Sequence, residues 1–137
     1  MAGRDDTHRL GWLGVGRMGM EMGRRLLEAG CDLAVFNRSM SKAEPLIRLG
    51  AKPAGSAAEL AARDIVFITV GSSDDLISAV LGAGGLMSGS GAGPRVLVDC
   101  STVSAGASAR VRAEIADRGT AMLAAPVMGN PKVVRAG

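Results

Sequence analysis

Apolar positions along the chain alternate between short continuous runs and longer stretches with helical spacing. Runs with the length of a buried strand occupy positions 10–15, 33–36, 65–70, 96–98 and 121–125. Between the first two, Met18, Met22 and Leu26 recur at every fourth position and predict a helix that ends at Gly30, and a later helix is predicted over 104–118. Because parallel strands need a right-handed helical crossover, this alternation predicts a single α/β domain with a doubly wound, mainly parallel sheet and helices on both faces.

Polar motifs predict where other helices begin. The segments 41–44 and 56–59 both read Ser-x-x-Glu, which matches a capping box. Asp74 and Asp75 precede the apolar face of another helix, at the end where the helix dipole favours negative charge. The Gly- and Ser-rich segment 82–94 lacks the Gly-Lys-Ser/Thr ending of a P-loop. We therefore interpret it as a mobile connection rather than as a phosphate-binding loop.

The composition limits the classes of protein to consider. The 137 residues are 47% hydrophobic and 21% charged, which suits one globular domain, predicted over 9–137 after a tail at 1–8. Cys31 and Cys100 lie far apart and His8 is the only histidine, so no metal site is expected. No apolar run suits a signal peptide or a membrane span, and we expect a cytoplasmic protein without a membrane partner. The basic residues are scattered without interleaved aromatics, so no nucleic-acid partner is expected.

A glycine motif follows the first predicted strand. It reads Gly14-Val15-Gly16-Arg17-Met18-Gly19 and matches G-x-G-x-x-G. In that motif the first glycine permits a tight turn, the second lets a pyrophosphate approach the backbone, and the third lets helix and strand pack closely. The anion then lies at the helix N-terminus. A methyltransferase or a purely structural turn is the alternative, but the order strand, motif, helix and second strand favours dinucleotide binding.

The end of the second predicted strand indicates which dinucleotide is bound. An NAD site usually places an acidic residue there to accept hydrogen bonds from the ribose, whereas this sequence has Asn37, Arg38 and Ser39. Asp32 begins that strand and so lies at the wrong end to reach the ribose. Because a guanidinium pairs well with a 2′-phosphate, we expect NADP, with NAD the weaker candidate. The alternative is that Arg38 is a solvated surface charge.

A hydroxyl-rich segment follows the strand predicted at 96–98. Ser101 and Thr102 come at the carboxyl end of that strand, where open α/β sheets bind ligands. Equally, Thr102 or Ser104 caps the next helix. Cys100 has no histidine other than His8 to act as its base, so we interpret it as a buried, unreactive thiol rather than as a nucleophile.

Four motifs in order resemble one known family. LGWLGVGRMGMEMGRRLLEAG, VFNRS, VDCSTVSA and APVMGNP, over positions 10–129, are similar to the amino-terminal half of the β-hydroxyacid dehydrogenases. That family includes 3-hydroxyisobutyrate dehydrogenase and tartronate semialdehyde reductase, with imine reductases as relatives. The resemblance implies a Rossmann-type NAD(P)-binding domain of an oxidoreductase. The complete enzyme would transfer a hydride between the nicotinamide and a small-molecule partner, a short β-hydroxyacid or its semialdehyde.

The resemblance also implies which residues contact the ligands. The residues implied for the cofactor are Gly14, Val15, Gly16, Arg17, Met18, Gly19, Asn37, Arg38, Ser39, Val70, Gly71, Ser72 and Thr102. The residues implied for the substrate are Ser101, Thr102, Gly129 and Asn130. Met128 and Asn130 stand where the family segment APVSGG has its serine and its second glycine, so the resemblance leaves the exact substrate open.

The family's catalytic lysine has no counterpart in this sequence. In the family that lysine lies on a helix beyond APVSGG, and a helical domain that forms dimers follows. Lys132 comes too soon after Gly129 and stands beside Pro131, so it is expected to be a surface residue. We therefore expect the family's helical domain to be absent, no catalytic residue in these 137 residues and no turnover by them alone. A homo-oligomer is a candidate assembly. The alternative is a non-catalytic dinucleotide-binding module that associates with a partner protein.

Overall fold

Six strands form one sheet in which every pairing is parallel. The computed structural model describes residues 8–137, so the predicted tail lies outside the described residues except for His8. The strands are Arg9–Leu13 (β1), Asp32–Phe36 (β2), Lys52–Pro53 (β3), Ile65–Ile68 (β4), Val96–Asp99 (β5) and Ala121–Ala124 (β6). Their order is β3-β2-β1-β4-β5-β6, which is the Rossmann order, so the predicted doubly wound sheet is confirmed. The order reverses between β1 and β4, and this reversal opens a crevice at the carboxyl ends of the strands.

Helices cover both faces of the sheet, as predicted. They are Arg17–Glu28 (α1), Glu44–Arg48 (α2), Ser73–Leu81 (α3), Ala105–Ala116 (α4) and Pro131–Ala136 (α5). Leu46 of α2 is buried with Trp12 on one face of the sheet, while Leu76 of α3 and Val111 of α4 are buried on the other. Burial of these side chains is the main force that holds the layers together. Within residues 8–137, no helix is both long and apolar enough to cross a membrane.

The two predicted capping boxes have different outcomes. Ser41 lies inside a 3-10 helix, Met40–Ala43, and α2 begins at Glu44 without a side-chain cap, so the first box is wrong. Pro45 decides this start, because proline favours the first turn of a helix. Ser56 does accept a 3.3 Å hydrogen bond from the backbone of Glu59, although the element that it begins is a 3-10 helix rather than an α-helix.

The segment 82–94, predicted to be a mobile connection, is anchored in its middle. Leu86 and Met87 are buried in the core beside α3. The guanidinium of Arg118 donates hydrogen bonds to the carbonyl groups of Met87, Gly89 and Gly91. The segment therefore has a fixed course across the surface, and its first glycines lie near the carboxyl ends of the strands.

Candidate functional site

A cleft of about 590 Å³ lies at the carboxyl ends of β1, β2 and β4. This volume is in the usual range for small-molecule and cofactor sites. Eight of the predicted cofactor residues line it: Gly14, Val15, Gly16, Asn37, Arg38, Ser39, Val70 and Gly71. The cleft is also lined by residues that the sequence motifs do not indicate, including Lys42, Thr69, Asp75, Ser78, Ala83, Gly84 and Gly85. The reversal of strand order therefore brings three separate parts of the chain to one cleft.

The glycines of the motif have three distinct environments. Gly14 has a φ of +93°, and a Cβ there would overlap the carbonyl oxygen of Thr69. A Cβ on Gly19 would lie 2.6 Å from the carbonyl oxygen of Gly14, so that glycine lets α1 approach β1. Gly16 has no neighbouring atom within 4 Å of its Cβ position. Gly14 and Gly19 thus permit close approaches between backbone segments, while Gly16 leaves open space at the cleft.

Side chains from β1 and from the end of β4 support the turn from beneath. The hydroxyl of Thr69 donates a 2.5 Å hydrogen bond to the carbonyl oxygen of Gly14. The indole N–H of Trp12 points to the same oxygen and to Thr69 Oγ1, at 3.1 Å from each. Trp12 also stacks on Phe67, with ring centroids 5.1 Å apart. The turn is therefore fixed by groups that lie 57 positions apart in the chain.

Asn37 connects the glycine turn to the end of β2. Its Oδ1 accepts a 2.9 Å hydrogen bond from the backbone of Val15, and its Nδ2 donates a 2.8 Å bond to the carbonyl oxygen of Ser39. The backbone of Gly14 donates a further 3.0 Å bond to Phe36. The side chain of Asn37 thus holds the walls of the cleft together, and its contact with a cofactor stays a prediction.

Two cations line the cleft beyond β2. Arg38 and Lys42 are exposed, and neither forms an ion pair among the residues that the structure describes. Asp32 lies at the opposite end of β2, where Lys52 and Arg63 each approach its Oδ1 at 3.0 Å. The hydrogen bond from Lys52, with a smaller contribution from Arg63, lowers the pKa of Asp32. Asp32 therefore lies outside the lining of the cleft, at the start of β2 as predicted.

Polar residues after β4 and β5 are used within the fold. Ser101 is buried, and its Oγ accepts a 2.9 Å hydrogen bond from the backbone of Val70. Ser72 caps α3 and Ser104 caps α4, each accepting a 3.1 Å bond from a backbone N–H. The capping alternative therefore holds for Ser104 and not for Thr102, which is exposed. The substrate and cofactor contacts expected of Ser101, Thr102 and Ser72 stay predictions.

The predicted cofactor residues Arg17, Met18, Gly19, Ser72 and Thr102 are outside the lining of the cleft. Arg17, Met18 and Gly19 form the first turn of α1. The α1 N-terminus, at Gly16, has no side-chain cap, unlike the N-termini of α3, α4 and α5. Backbone N–H groups in this first turn are left for a ligand or for water.

The segment after β6 also lies outside this cleft. Gly129 has a φ of +111°, and Oδ1 of Asn130 caps α5 by accepting bonds of 3.0 and 3.2 Å from backbone N–H groups. Met128 is 95% exposed and lies at the rim of a second cavity of about 410 Å³, between α1 and α5. Lys132 is exposed and lines neither cavity, in agreement with the prediction of a surface lysine. Contact of Gly129 and Asn130 with a substrate stays a prediction.

Cys100 has the environment of an unreactive thiol. It is buried at the end of β5, and burial, with a smaller contribution from the charge of Asp99, raises its pKa to about 11. Because the thiolate is the nucleophilic form, this environment supports the interpretation of Cys100 as a structural residue.

Comparison with protein families identifies the domain. Residues 9–137 match the family described as the NAD binding domain of 6-phosphogluconate dehydrogenase. Glyoxylate/succinic semialdehyde reductase 2 of Arabidopsis thaliana, a chloroplastic protein, is 39% identical over 127 residues, which are 92% of this chain and 35% of the relative. The chain thus spans about a third of the length of that relative.

Solved structures agree on the fold. The structure of Psf3 in complex with NADP⁺ and 2-OPP has a TM-score of 0.84 and 31% identity, over 93% of this chain and 45% of Psf3. The 3-hydroxyisobutyrate dehydrogenase of Mycobacterium tuberculosis, solved with L-serine, has a TM-score of 0.79 and 27% identity, over 95% of this chain and 44% of that enzyme. The matched region is the dinucleotide-binding part of longer oxidoreductases.

Proposed function

The chain belongs to the family of the NAD binding domain of 6-phosphogluconate dehydrogenase, and from this premise we propose that it binds NADP across the carboxyl ends of β1, β2 and β4. The observation that carries the proposal is the open space at Gly16, where a Cβ would meet no protein atom within 4 Å. Backbone exposed in this way, at an uncapped helix N-terminus, suits a pyrophosphate. The residues present therefore fit a dinucleotide.

The pyrophosphate would lie between Gly16 and the first turn of α1. The N–H groups of that turn have no capping side chain, and the helix dipole adds partial positive charge at the same point. Thr69 and Asn37 hold the turn in place before any ligand arrives, through their bonds to Gly14 and Val15. A turn that is already ordered loses less entropy when it binds its ligand.

The 2′-phosphate of NADP would lie against Arg38, Ser39 and Lys42. Arg38 offers a planar pair of donors and Lys42 a second positive charge on the same side of the cleft. The acidic residue that would favour NAD is missing at the end of β2, where the chain has Asn37 and Arg38. Asp32 lies at the other end of the strand, paired with two cations. This arrangement supports NADP over NAD.

For the complete enzyme, we propose reversible hydride transfer with a short β-hydroxyacid or its semialdehyde as substrate. NADP, when bound, supplies or accepts the hydride. The chain described here binds and orients the cofactor, and its segments at 101–102 and 129–130 would border the substrate. The semialdehyde reductase from Arabidopsis thaliana and the 3-hydroxyisobutyrate dehydrogenase from Mycobacterium tuberculosis support this substrate class.

Calorimetric titration of the 137-residue chain with NADPH and NADH tests the proposal. We expect saturable binding of one NADPH per chain and weaker binding of NADH. Binding of neither nucleotide would contradict the proposed function, and tighter binding of NADH would contradict the choice of NADP.

A further inference from the structure

Helix α1 carries a buried carboxylate that the proposed cofactor site does not use. Glu21 is 5% exposed and lies one helical turn beyond Arg17. Burial of a carboxylate is unfavourable unless a charged partner is close. Its nearest partner is Arg135 of α5, whose Nη2 lies 2.6 Å from Oε1 and whose Nε lies 3.2 Å from Oε2, while Nε of Arg24 lies further away, at 3.8 Å from Oε2.

This ion pair is the polar attachment between two elements that are far apart in the chain. Glu21 and Arg135 are separated by 114 positions. Arg25, one turn further along α1, adds a 3.4 Å hydrogen bond to the carbonyl oxygen of Arg135. Both oxygens of the Glu21 carboxylate bond to the guanidinium group of Arg135. The two bonds fix the orientation of the Arg135 side chain as well as its distance from Glu21.

The attachment determines where the segment before α5 lies. Residues 125–130 connect β6 to α5, so they leave the sheet at the edge where β4 and β5 also end. The start of the segment is held by a 2.8 Å hydrogen bond from the N–H of Ala125 to the carbonyl oxygen of Asp99, whereas Met128 is almost fully exposed and Asn130 caps α5. The position of residues 126–130 therefore depends also on what holds α5.

We propose that Arg135 is a positioning residue, which through Glu21 holds α5 and the segment 126–130 beside the nicotinamide end of the cofactor cleft. The proposal rests on the proposed function, since it assigns the segment to the nicotinamide side. The N-terminus of α1 faces the proposed pyrophosphate, and the same helix holds α5 one turn later. One rigid helix thus sets the distance between the cofactor and the segment.

The hydrogen bond from Arg135, opposed in part by burial, lowers the pKa of Glu21. The carboxylate is therefore charged at neutral pH, and the pair persists under ordinary assay conditions. The attachment can accordingly be tested at one pH by changing its members.

The single tryptophan is a native reporter of this attachment. Trp12 is 1% exposed and lines the second cavity together with Val127, Met128 and Val134. Release of α5 would uncover this side of the indole. Quenching of tryptophan emission by acrylamide and hydrogen–deuterium exchange of residues 126–137 therefore report the same event.

The test compares R135A and E21Q with K132A, which removes a cation from the same helix but not from the pair. We expect R135A and E21Q each to raise exchange in 126–137 about tenfold, with no further rise in the double variant, since both break one interaction. Tryptophan quenching should rise in parallel. R135K should restore part of the protection, and K132A should match the unmodified chain.

The emission of bound NADPH connects the attachment to the cofactor. At saturation we expect R135A to reduce this emission towards that of free NADPH, because the segment proposed to lie beside the nicotinamide is released, and R135K to recover part of it. NADPH affinity should change by less than about threefold, since the pyrophosphate and the 2′-phosphate have other partners.

Each result decides between the two proposals. The positioning role alone would be overturned if the unmodified chain binds NADPH but R135A leaves the NADPH emission or the exchange in 126–137 unchanged. A uniform rise in exchange across the sheet would also overturn it, because Arg135 would then stabilise the whole fold. If the unmodified chain binds no NADPH, both the proposed function and the positioning role that rests on it are contradicted.

Discussion

Thr69 donates a 2.5 Å hydrogen bond to the carbonyl oxygen of Gly14, at the point where the strand order reverses between β1 and β4. This bond connects the end of β4 to the turn after β1. Gly14 has a φ of +93° and no room for a Cβ, so the turn depends on support from its neighbours. The binding geometry proposed for the pyrophosphate is therefore built by two strands rather than by the glycine motif alone.

Replacement of Thr69 by Val should loosen this turn while preserving the size of the side chain. We expect a loss of about 1 to 2 kcal/mol in the free energy of unfolding, because the hydroxyl loses both the bond that it donates to Gly14 and the bond that it accepts from Trp12. NADPH affinity should also fall, since the turn is less ordered before binding. Urea unfolding and calorimetric titration measure the two effects. Thr102→Val, at an exposed threonine, is the control for stability. A Thr69 variant as stable as the unmodified chain would contradict this role.

Gly16→Val should fold normally and bind no NADPH. Gly16 has an ordinary φ of −89° and no protein atom within 4 Å of its Cβ position, so the fold has room for a side chain to begin there. The side chain would instead occupy the space through which the pyrophosphate approaches the backbone. Circular dichroism and calorimetric titration check fold and binding. Gly106→Val, also at an open position but on α4, is the matched control and should bind normally. Binding by a folded Gly16 variant would indicate a purely structural turn.

Arg38→Ala should remove most of the preference for NADPH over NADH. A charge-assisted pair of this kind contributes about 1 to 3 kcal/mol. Lys42→Ala should cause a smaller loss, because an ammonium makes a less directional contact with a phosphate. Parallel titrations with both nucleotides measure the preference. Arg48→Ala removes an exposed cation that is paired with Glu44 and should leave the preference unchanged. An equal loss of NADH and NADPH affinity in Arg38→Ala would contradict the assignment.

The thiol of Cys100 should react slowly in the folded chain at every ordinary pH. Its pKa is raised from an ordinary value of 9.0 to about 11, so the thiolate is scarce near pH 8. Because the folded pKa lies above the unfolded one, this group favours unfolding as the pH rises from about 9 to 11 and is neutral in both states below that range. Labelling with a disulfide reagent at pH 8 should modify Cys31 first and Cys100 only after urea is added. Equal labelling rates in the folded chain would contradict this environment.

The 137-residue chain should turn over no short β-hydroxyacid or semialdehyde at a measurable rate. Proton transfer by a positioned group commonly contributes about 10²- to 10⁴-fold, and Lys132 is exposed away from both cavities. His8 precedes β1, whose amino-terminal end is opposite the cleft. An assay that follows NADPH absorbance checks this, with a longer lysine-containing protein as positive control. Turnover within about tenfold of that control would require a complete active site within these residues.

Features that depend on neighbouring positions could be predicted from the order of residues along the chain. Alternating apolar runs and helical stripes predicted the parallel sheet, because the period of hydrophobic residues reports which face is buried. The glycine motif and Arg38 follow strand ends directly, so their place at the carboxyl edge of the sheet could be read from strand order. Asp32 was excluded from the ribose end for the same reason. The order of strand, turn and helix along a βαβ unit therefore predicts which residues lie at the carboxyl edge of the sheet.

Contacts between distant side chains could not be predicted in this way, because they depend on how the whole chain packs. Thr69 supports Gly14, Ser101 is engaged by the backbone of Val70, and Glu21 pairs with Arg135. A serine three positions before a glutamate suggested a helix start at Ser41, but the proline after Glu44 favoured a later start. Two short elements, β3 and α5, were not predicted, because two to six residues show no period. Hydrophobic patterns specify a buried face, whereas hydrogen bonds and ion pairs need partners whose approach depends on the packing of the whole sheet.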